Sequence, residues 1–439
     1  MLNWTENLKR LAYIFVLAAA STRAMADNWF ILDGAEPPGA EKVKVFGLIQ
    51  PTYEYDMSQH AYGLAGSEVG NDGKYPLYST IAPSYKSTSS FYVFRMRLGA
   101  RGALSRDINY EAVAELGVNA LTTQPGGSYT PQLAEGSITF NEIPGARFRV
   151  GLFKTPGSEE GLRTAIDYVE FTNLTSQFLN YQPVTAINGV PDSNGGYSAN
   201  TSSGVRAFRD TGIEAFDAFQ FGQWEYTYAV MVGNGSALNS VDENSGKGIY
   251  GRLQISYLFD RGTNAFSKGR NDATLFIWAH SGTQTFNGGN YPARRQGVGV
   301  VVVRHPYDFT AEYANGSGMV LLTPLFPGGT FDVFPGSQNK ADGWYVEGGY
   351  FVTNAVKLDL RYDVFDQLTN VRPLTRKYKT LTLGVLYYLE KDARVAFNYE
   401  FRDLAFPGVE PSDGATFANE SAVAHAVGNR VGVQATVVF

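Results

Sequence analysis

From Lys42 onward, polar and apolar residues alternate with a period of two over segments of about ten residues, the length of a tilted strand that crosses a bilayer. In one segment Tyr92, Phe94, Met96, Leu98 and Ala100 fall on one side and Arg95, Arg97 and Arg101 on the other. In the next, Tyr110, Ala112, Ala114, Leu116 and Val118 oppose Glu111 and Glu115. Phe148, Val150 and Leu152 oppose Arg147 and Arg149, and Val356, Leu358, Leu360 and Tyr362 oppose Lys357, Asp359, Arg361 and Asp363. Helical periodicity is almost absent. An arginine on the lipid side of a barrel wall costs about 2–4 kcal/mol at the midplane, so the pattern predicts an apolar outside and charges facing a wet lumen.

The periodicity predicts 16 strands, at about 42–56, 91–104, 108–121, 132–142, 146–154, 205–219, 224–233, 248–260, 271–282, 295–305, 307–315, 341–352, 355–366, 378–390, 392–403 and 426–439. The connections test this reading, because a membrane barrel has short turns on one rim and longer loops on the other. Ser105-Arg106-Asp107, Ile143-Pro144-Gly145, Phe221-Gly222-Gln223, Pro306, Thr353-Asn354-Ala355 and the reversal at Lys391 are short, and Arg261 to Arg270 is somewhat longer. Between them fall longer connections at 57–90, 122–131, 155–204, 234–247, 283–294, 316–340, 367–377 and 404–425. An even strand count places both termini at the short-turn, periplasmic rim. Trp224, Tyr257, Phe276, Tyr387 and Phe401 are expected in the aromatic girdles at strand ends. The fold class expected is therefore all-β, a transmembrane antiparallel barrel over 42–439, preceded by a periplasmic segment at 27–41.

The N-terminus reads as an export signal. Lys9 and Arg10 precede a short apolar run from Leu11 to Ala20, and Ala24-Met25-Ala26 supplies a small-residue cleavage site, so residues 1–26 are expected to be removed. Subtracting the three basic and one acidic residues of that segment leaves 33 basic against 41 acidic positions, a formal charge of −8. That balance argues against a nucleic-acid partner. Aromatic residues reach 14%, charged residues only 18%, and 48 positions are glycine, a composition suited to strands with a lipid-facing side and many tight turns. The absence of cysteine excludes a lipid-anchored cysteine, disulfides and thiolate-held metal clusters. The chain ends with Val431, Val433, Ala435, Val437 and Phe439 on one face, a pattern resembling the signal that outer-membrane assembly machinery reads.

Catalysis finds little support. His60, His280, His305 and His425 are scattered, and His280 and Ser281 point to opposite faces of one strand. No metal-ligand spacing occurs, and no cofactor is expected. The charges that carry chemistry are those on the predicted lumenal faces, since rings of fixed charge select permeant ions. Arg95, Arg97, Arg101, Arg147 and Arg149 come from neighbouring parts of the wall and form a basic ladder, unless Glu111 and Glu115 neutralise them through cross-strand pairs. Arg252, Lys357 and Arg361 are further pore-lining candidates, balanced by acids such as Glu225, Asp359, Asp363 and Glu400.

The run Arg149-Val150-Gly151-Leu152-Phe153-Lys154-Thr155-Pro156, followed by Ser158 and Glu159, resembles the G-x-F-K-x-P segment of the phosphate-selective porin O and P family. Echoes recur at Arg209-Asp210-Thr211-Gly212-Ile213, at Trp344 to Phe351, at Leu360-Arg361-Tyr362-Asp363 and at Val433-Gln434-Ala435. The resemblance implies 16 strands, a homotrimer and an anion pathway lined by an arginine ladder, to which the Arg95–Arg149 set would correspond, with Lys154 beside it. The family's lysine cluster has no counterpart here. Likeness to general porins further implies that the 155–204 loop folds into the barrel and constricts it. The expected function is passive diffusion of small hydrophilic solutes or ions, with anions such as phosphate as candidates, in the outer membrane and in contact with its lipids. The alternative is a barrel that sheathes a partner protein or serves as a surface receptor.

Overall fold

The computed structural model describes residues 40–74, 89–119, 121–122, 129–163, 197–199, 208–235, 246–259, 270–286, 289–318, 320–322, 331–334, 339–390 and 392–439. The expected signal peptide at 1–26, nearly all of the 27–41 segment, and residues 164–196 and 200–204 of the expected constriction loop lie outside the described residues.

Sixteen antiparallel strands close into one barrel. They are β1 Lys44–Asp56, β2 Ser89–Ala103, β3 Ile108–Glu115, β4 Gln132–Phe140, β5 Arg147–Lys154, β6 Arg209–Phe221, β7 Trp224–Gly233 and β8 Gly248–Leu258. The second half comprises β9 Asp272–Phe286, β10 Gly289–Arg304, β11 Tyr307–Ser317, β12 Lys340–Thr353, β13 Val356–Gln367, β14 Arg376–Glu390, β15 Ala393–Ala405 and β16 Arg430–Val438. Each matches one periodic segment of the sequence. Order around the barrel follows order along the chain, and β1 pairs with β16 to shut it. On the inner side of that seam Gln50 Nε2 donates to Thr436 Oγ1 at 3.1 Å and Gln434 Nε2 to Thr52 Oγ1 at 2.9 Å.

Among the described residues no helix is long and apolar enough to cross a membrane, which says nothing of strands. The outside of the barrel fits a crossing by strands. Leu98, Val150, Val230, Ile277, Leu360 and Leu383 stand exposed around its waist. Aromatic pairs mark the two rims: Trp224–Tyr257 and Tyr307–Tyr350 near the termini, Trp344–Tyr362 and Tyr399–Phe401 nearer the other end. An apolar band of this extent belongs in hydrocarbon rather than water.

Four details differ from the sequence expectation. In β2 the register slips between Gln50, opposite Arg95, and Pro51, opposite Val93, leaving Phe94 as an extra residue. Pro51 has no N–H to give the ladder, and a bulge accommodates that loss. The slip inverts the face beyond it: Phe91, 83% exposed, and Val93 look outward, while Tyr92 turns inward with its hydroxyl 3.5 Å from Glu54 Oε2. Phe276, expected in a girdle, is 1% exposed and faces the lumen beneath the Arg252 guanidinium. The expected 283–294 loop shrinks to residues 287–288, because β9 and β10 continue pairing up to Phe286 and Gly289. Loop lengths therefore do not alternate there, since 259–271 on the other rim is longer. Finally, the last strand begins at Arg430, and the chain before it forms a helix, α2, Ala415–Ala426. A one-turn helix, α1, Glu159–Leu162, follows β5.

The lipid-facing assignment predicts that Leu360→Arg destabilises the folded barrel by about 2–4 kcal/mol in a urea titration in vesicles. A loss below about 1 kcal/mol would place that wall in contact with water.

Candidate functional site

The inner wall is built by the same alternation that makes the outside apolar. Every second residue of a strand points inward, and the inward positions carry most of the chain's buried charge. Arg97 Nε lies 2.7 Å from Glu115 Oε2, Arg147 Nε lies 3.5 Å from Asp217 and Arg149 Nη1 lies 4.0 Å from Glu214. Arg101 stands directly across from Glu111 and stacks on Phe46 at 5.2 Å. The ladder is thus largely paired along the wall. Arg95 differs: it donates to Gln50 Oε1 at 2.9 Å and lies 4.4 Å over the Phe94 ring, and among the described residues it makes no ion pair with a carboxylate. Near it stands Arg209, which belongs to one of the resemblance motifs but not to the pore-lining candidates, and which forks onto Glu135.

The chain leaves β5 and turns into the barrel. Two glycines permit the path. Gly151 has φ of +134°, and a Cβ there would sit 2.2 Å from the Gly136 carbonyl oxygen; at Gly161 a side chain would strike the Phe208 ring at 2.4 Å. Ser158 opens α1 by accepting a hydrogen bond from Gly161 N at 3.2 Å, and Lys154 Nζ caps its far end, donating to the carbonyls of Leu162 at 3.0 Å and Arg163 at 3.3 Å. Leu162 packs on Phe216 of β6 and Ala229 of β7.

The other side of α1 is clamped to β8 and β11–β13. Arg252 donates to Glu159 Oε2 at 2.7 Å and to Gly157 O at 2.8 Å while stacking on Phe276 at 4.0 Å. Arg361 bridges Glu160 Oε1 at 2.9 Å and Glu347 Oε2 at 2.8 Å over the Tyr345 ring, and Arg163 also pairs with Glu347. Glu312 accepts three hydrogen bonds, from Trp278 Nε1 at 2.8 Å, Tyr345 Oη at 3.0 Å and the backbone N–H of Glu159 at 3.2 Å. Of the sequence candidates, then, Arg252, Arg361 and Lys154 hold the loop stem, and Lys357 is bound to Asp308 at 2.8 Å and Asp359 at 3.0 Å. Arg95, Arg97, Arg101, Glu111 and Glu115 lie on the opposite wall. Although Glu159 and Glu347 fall within the motifs that carry the family resemblance, alternation and spacing assign no role to Glu159, Glu160, Arg163, Glu312 or Glu347. Strand parity would have shown the last two facing inward, whereas nothing local tells that a loop returns to meet them.

The far limb of the same loop is tied to the same sector. Its Tyr197–Ala199 strand pairs with Phe331–Phe334, which pairs in turn with Val320–Leu322 in the β11–β12 connection.

No family model matches the sequence, and no curated protein matches it either. Solved structures do. An anion-selective porin from Comamonas acidovorans superposes with a TM-score of 0.52 at 14% identity, over 91% of this chain and 100% of that one. OmpF of Salmonella typhi, in complex with daunomycin, gives 0.52 at 12% identity over 90% and 97%. The high-pH structure of OprB from Pseudomonas putida gives 0.50 at 10% identity over 93% and 95%. The chain has the porin fold. At such identities the likeness concerns architecture, and what passes through the lumen is argued from its own side chains.

The upper mouth, remote from the termini, is occupied by α2 and the 57–74 part of the first loop. Val423, 0% exposed, and Ala426 of α2 join Ala61 and Leu64 of the loop in a cluster with Ala314, Ala341, Tyr345, Phe365, Tyr378 and Leu404 of β11–β15. The Asn419 side chain exchanges hydrogen bonds with both backbone groups of Ala65, and Gln59 N donates to Ala426 O at 2.8 Å. On another face of α2, burial pushes the Glu420 carboxyl up to about 7; Arg376 opposes that rise and Asp413 adds to it.

Two outcomes follow. Arg361→Leu leaves Glu160 and Glu347 with one less cation, and the α1 amides should exchange with deuterium as if about 3 kcal/mol of local stability were lost; unchanged protection would contradict the clamp. Because the folded Glu420 carboxyl titrates above its ordinary 4.5, its contribution is full below that pH and is lost as pH rises through about 7. Amide protection of α2 should therefore fall between about pH 5 and 8, and Glu420→Gln should abolish the fall.

Proposed function

We propose that the protein is an outer-membrane porin through which small hydrophilic solutes and ions diffuse passively, without turnover, and that it prefers anions. The observation that carries the reading is the inversion of the sheet: a closed barrel with an apolar outside and an inner wall of paired charges suits a path for water and polar solutes. Residues 1–26 act as the cleaved export signal, and the 155–204 loop is the constriction, its stem at 155–163 clamped inside the barrel through Arg252, Arg361 and Lys154. The pathway runs past the wall of Arg95, Arg97, Arg101, Glu111 and Glu115. There Arg95, Arg97, Arg209 and Lys154 outnumber Glu115 and Glu135, all within one electrostatic neighbourhood. The surplus is positive, which supports selection of anions as a class; phosphate is one member of it. By analogy with the porin fold the working unit is a homotrimer in contact with outer-membrane lipids. A barrel that sheathes a partner protein is less well supported, because the chain's own loop stem takes the lumenal room a threaded partner would need.

In planar bilayers under a potassium chloride gradient the purified protein should give discrete conductance steps and a reversal potential of the anion-preferring sign. Arg95→Gln should lower the anion-to-cation permeability ratio about twofold. A silent bilayer would sink the pore, and a reversal potential untouched by the substitution would remove Arg95 from the pathway.

A further inference from the structure

Lumen-facing positions of a water-filled barrel are expected to be polar. Near the upper rim of this one a group of them is apolar, although Asp56, Gln367 and Arg376 at the same rim are polar. Ala314, Ala341, Tyr345, Phe365, Tyr378 and Leu404 all face inward from the ends of β11–β15 that lie away from the termini. Trp278 of β9 and Phe208, the residue that leads the third loop back into β6, pack against the same cluster. Neighbouring strands are spaced about 4.8 Å apart around the wall, so side chains arriving from β6, β9 and β11–β15 meet in one cluster only if material fills the mouth between them. Val423 and Ala426 of α2, hung from β15, and Ala61 and Leu64 of the 57–74 segment, hung from β1, belong to that cluster.

We propose that α2 and the 57–74 segment form a second, apolar constriction at the upper mouth, in series with the polar one at the loop stem, and that this upper constriction sets the size of solute admitted. The inference rests on the porin reading above and deepens it. Its chemistry differs from that of the stem. The stem is held by ion pairs, whereas α2 is seated by Val423 and Ala426 and stitched along its length by neutral hydrogen bonds to Ala65 and Gln59. Its far end is fastened as well. Gly428 N donates to Ser58 Oγ at 3.0 Å, and Arg402 reaches Gly428 O at 2.8 Å and Asp56 Oδ1 at 2.6 Å, locking the helix exit to the top of β1. Phe208 keeps a left-handed backbone, φ +61°, a conformation that costs a non-glycine residue and persists only where the surroundings hold it. Its ring joins the two constrictions, touching Gly161 beside the stem and the mouth cluster above. A solute thus meets an apolar size limit before it meets the charged wall.

The test compares the full-length protein with a variant in which residues 411–426 are replaced by a short glycine-serine linker, and with Val423→Asp, which puts a carboxylate into the apolar seat. Both are first checked for heat-modifiable mobility and strand circular dichroism. Single-channel conductance should rise about twofold in the deletion, and liposome swelling should admit larger neutral sugars, with Val423→Asp moving the same way by less. Folded variants with unchanged conductance and unchanged sugar cut-off would overturn the proposal. A wild type that never conducts would instead defeat the porin reading itself. Because the chain has no cysteine, Val423→Cys gives an independent measurement in intact vesicles: the seated helix should react with a water-soluble methanethiosulfonate far more slowly than Cys introduced at exposed Pro411, and equal rates would overturn the plug.

Discussion

A strand that crosses hydrocarbon must satisfy its backbone hydrogen bonds inside the protein, and a sheet achieves this only by having no edges. Most of the architecture follows from that constraint. Closure forces β1 against β16, and it forces each residue to choose between lipid and lumen by parity alone. A polar side chain such as Gln50, Thr52, Gln434 or Thr436 is then committed to the inside, where it finds another of its kind across the seam. An exposed leucine such as Leu360 is committed to the outside. Departures from parity need a device, and the bulge at Phe94 is one. By absorbing a residue opposite Pro51 it swings Tyr92 to the lumen and Phe91 to the lipid.

Charges collected on the inner face must in turn find partners, because a buried ion without one is costly. The barrel meets this requirement in two ways. On one wall the partners are cross-strand neighbours, as with Arg97 and Glu115. On the other they also arrive with a loop: Glu159, Glu160 and Arg163 add pairs with Arg252, Arg361 and Glu347 to the Arg361–Glu347 pair that the strands make by themselves. The loop stem is therefore part of the electrostatic balance of the wall, which explains why a four-residue helix, far too short to persist alone, is held in place. Aromatic rings beneath Arg252 and Arg361 support the guanidinium planes from below.

The barrel was legible in the sequence because strand parity is a local property. All sixteen strands could be read from alternation. What stayed hidden depends on contacts between distant segments. Phe276 is the exception: it carries the residue type of a girdle, yet it shares the parity of Asp272 and Thr274 and so faces inward, beneath Arg252. Arg252 and Arg361 have the parity of pore-lining residues, and only the returning loop turns them into its anchors. The helix Ala415–Ala426 is rich in alanine, a strong helix former, yet its apolar face is short and most of the five strands that seat it lie far away in the chain. The long β9–β10 hairpin was misjudged for a simpler reason: Asn287-Gly288 is a sound two-residue turn signal, but the polar residues flanking it resemble loop more than strand.

The seam also bears on how the molecule is made. Within the barrel wall every strand but one pair is bonded only to its neighbours in sequence, so nearly the whole wall can zip up hairpin by hairpin from contacts of short range. The single exception joins the first strand to the last, across almost the entire chain. Until the final segment is delivered, the growing sheet has two open edges, each a template for wrong partners. The hydrogen bonds that Gly47 and Phe439 exchange therefore belong to the contact that removes both edges at once.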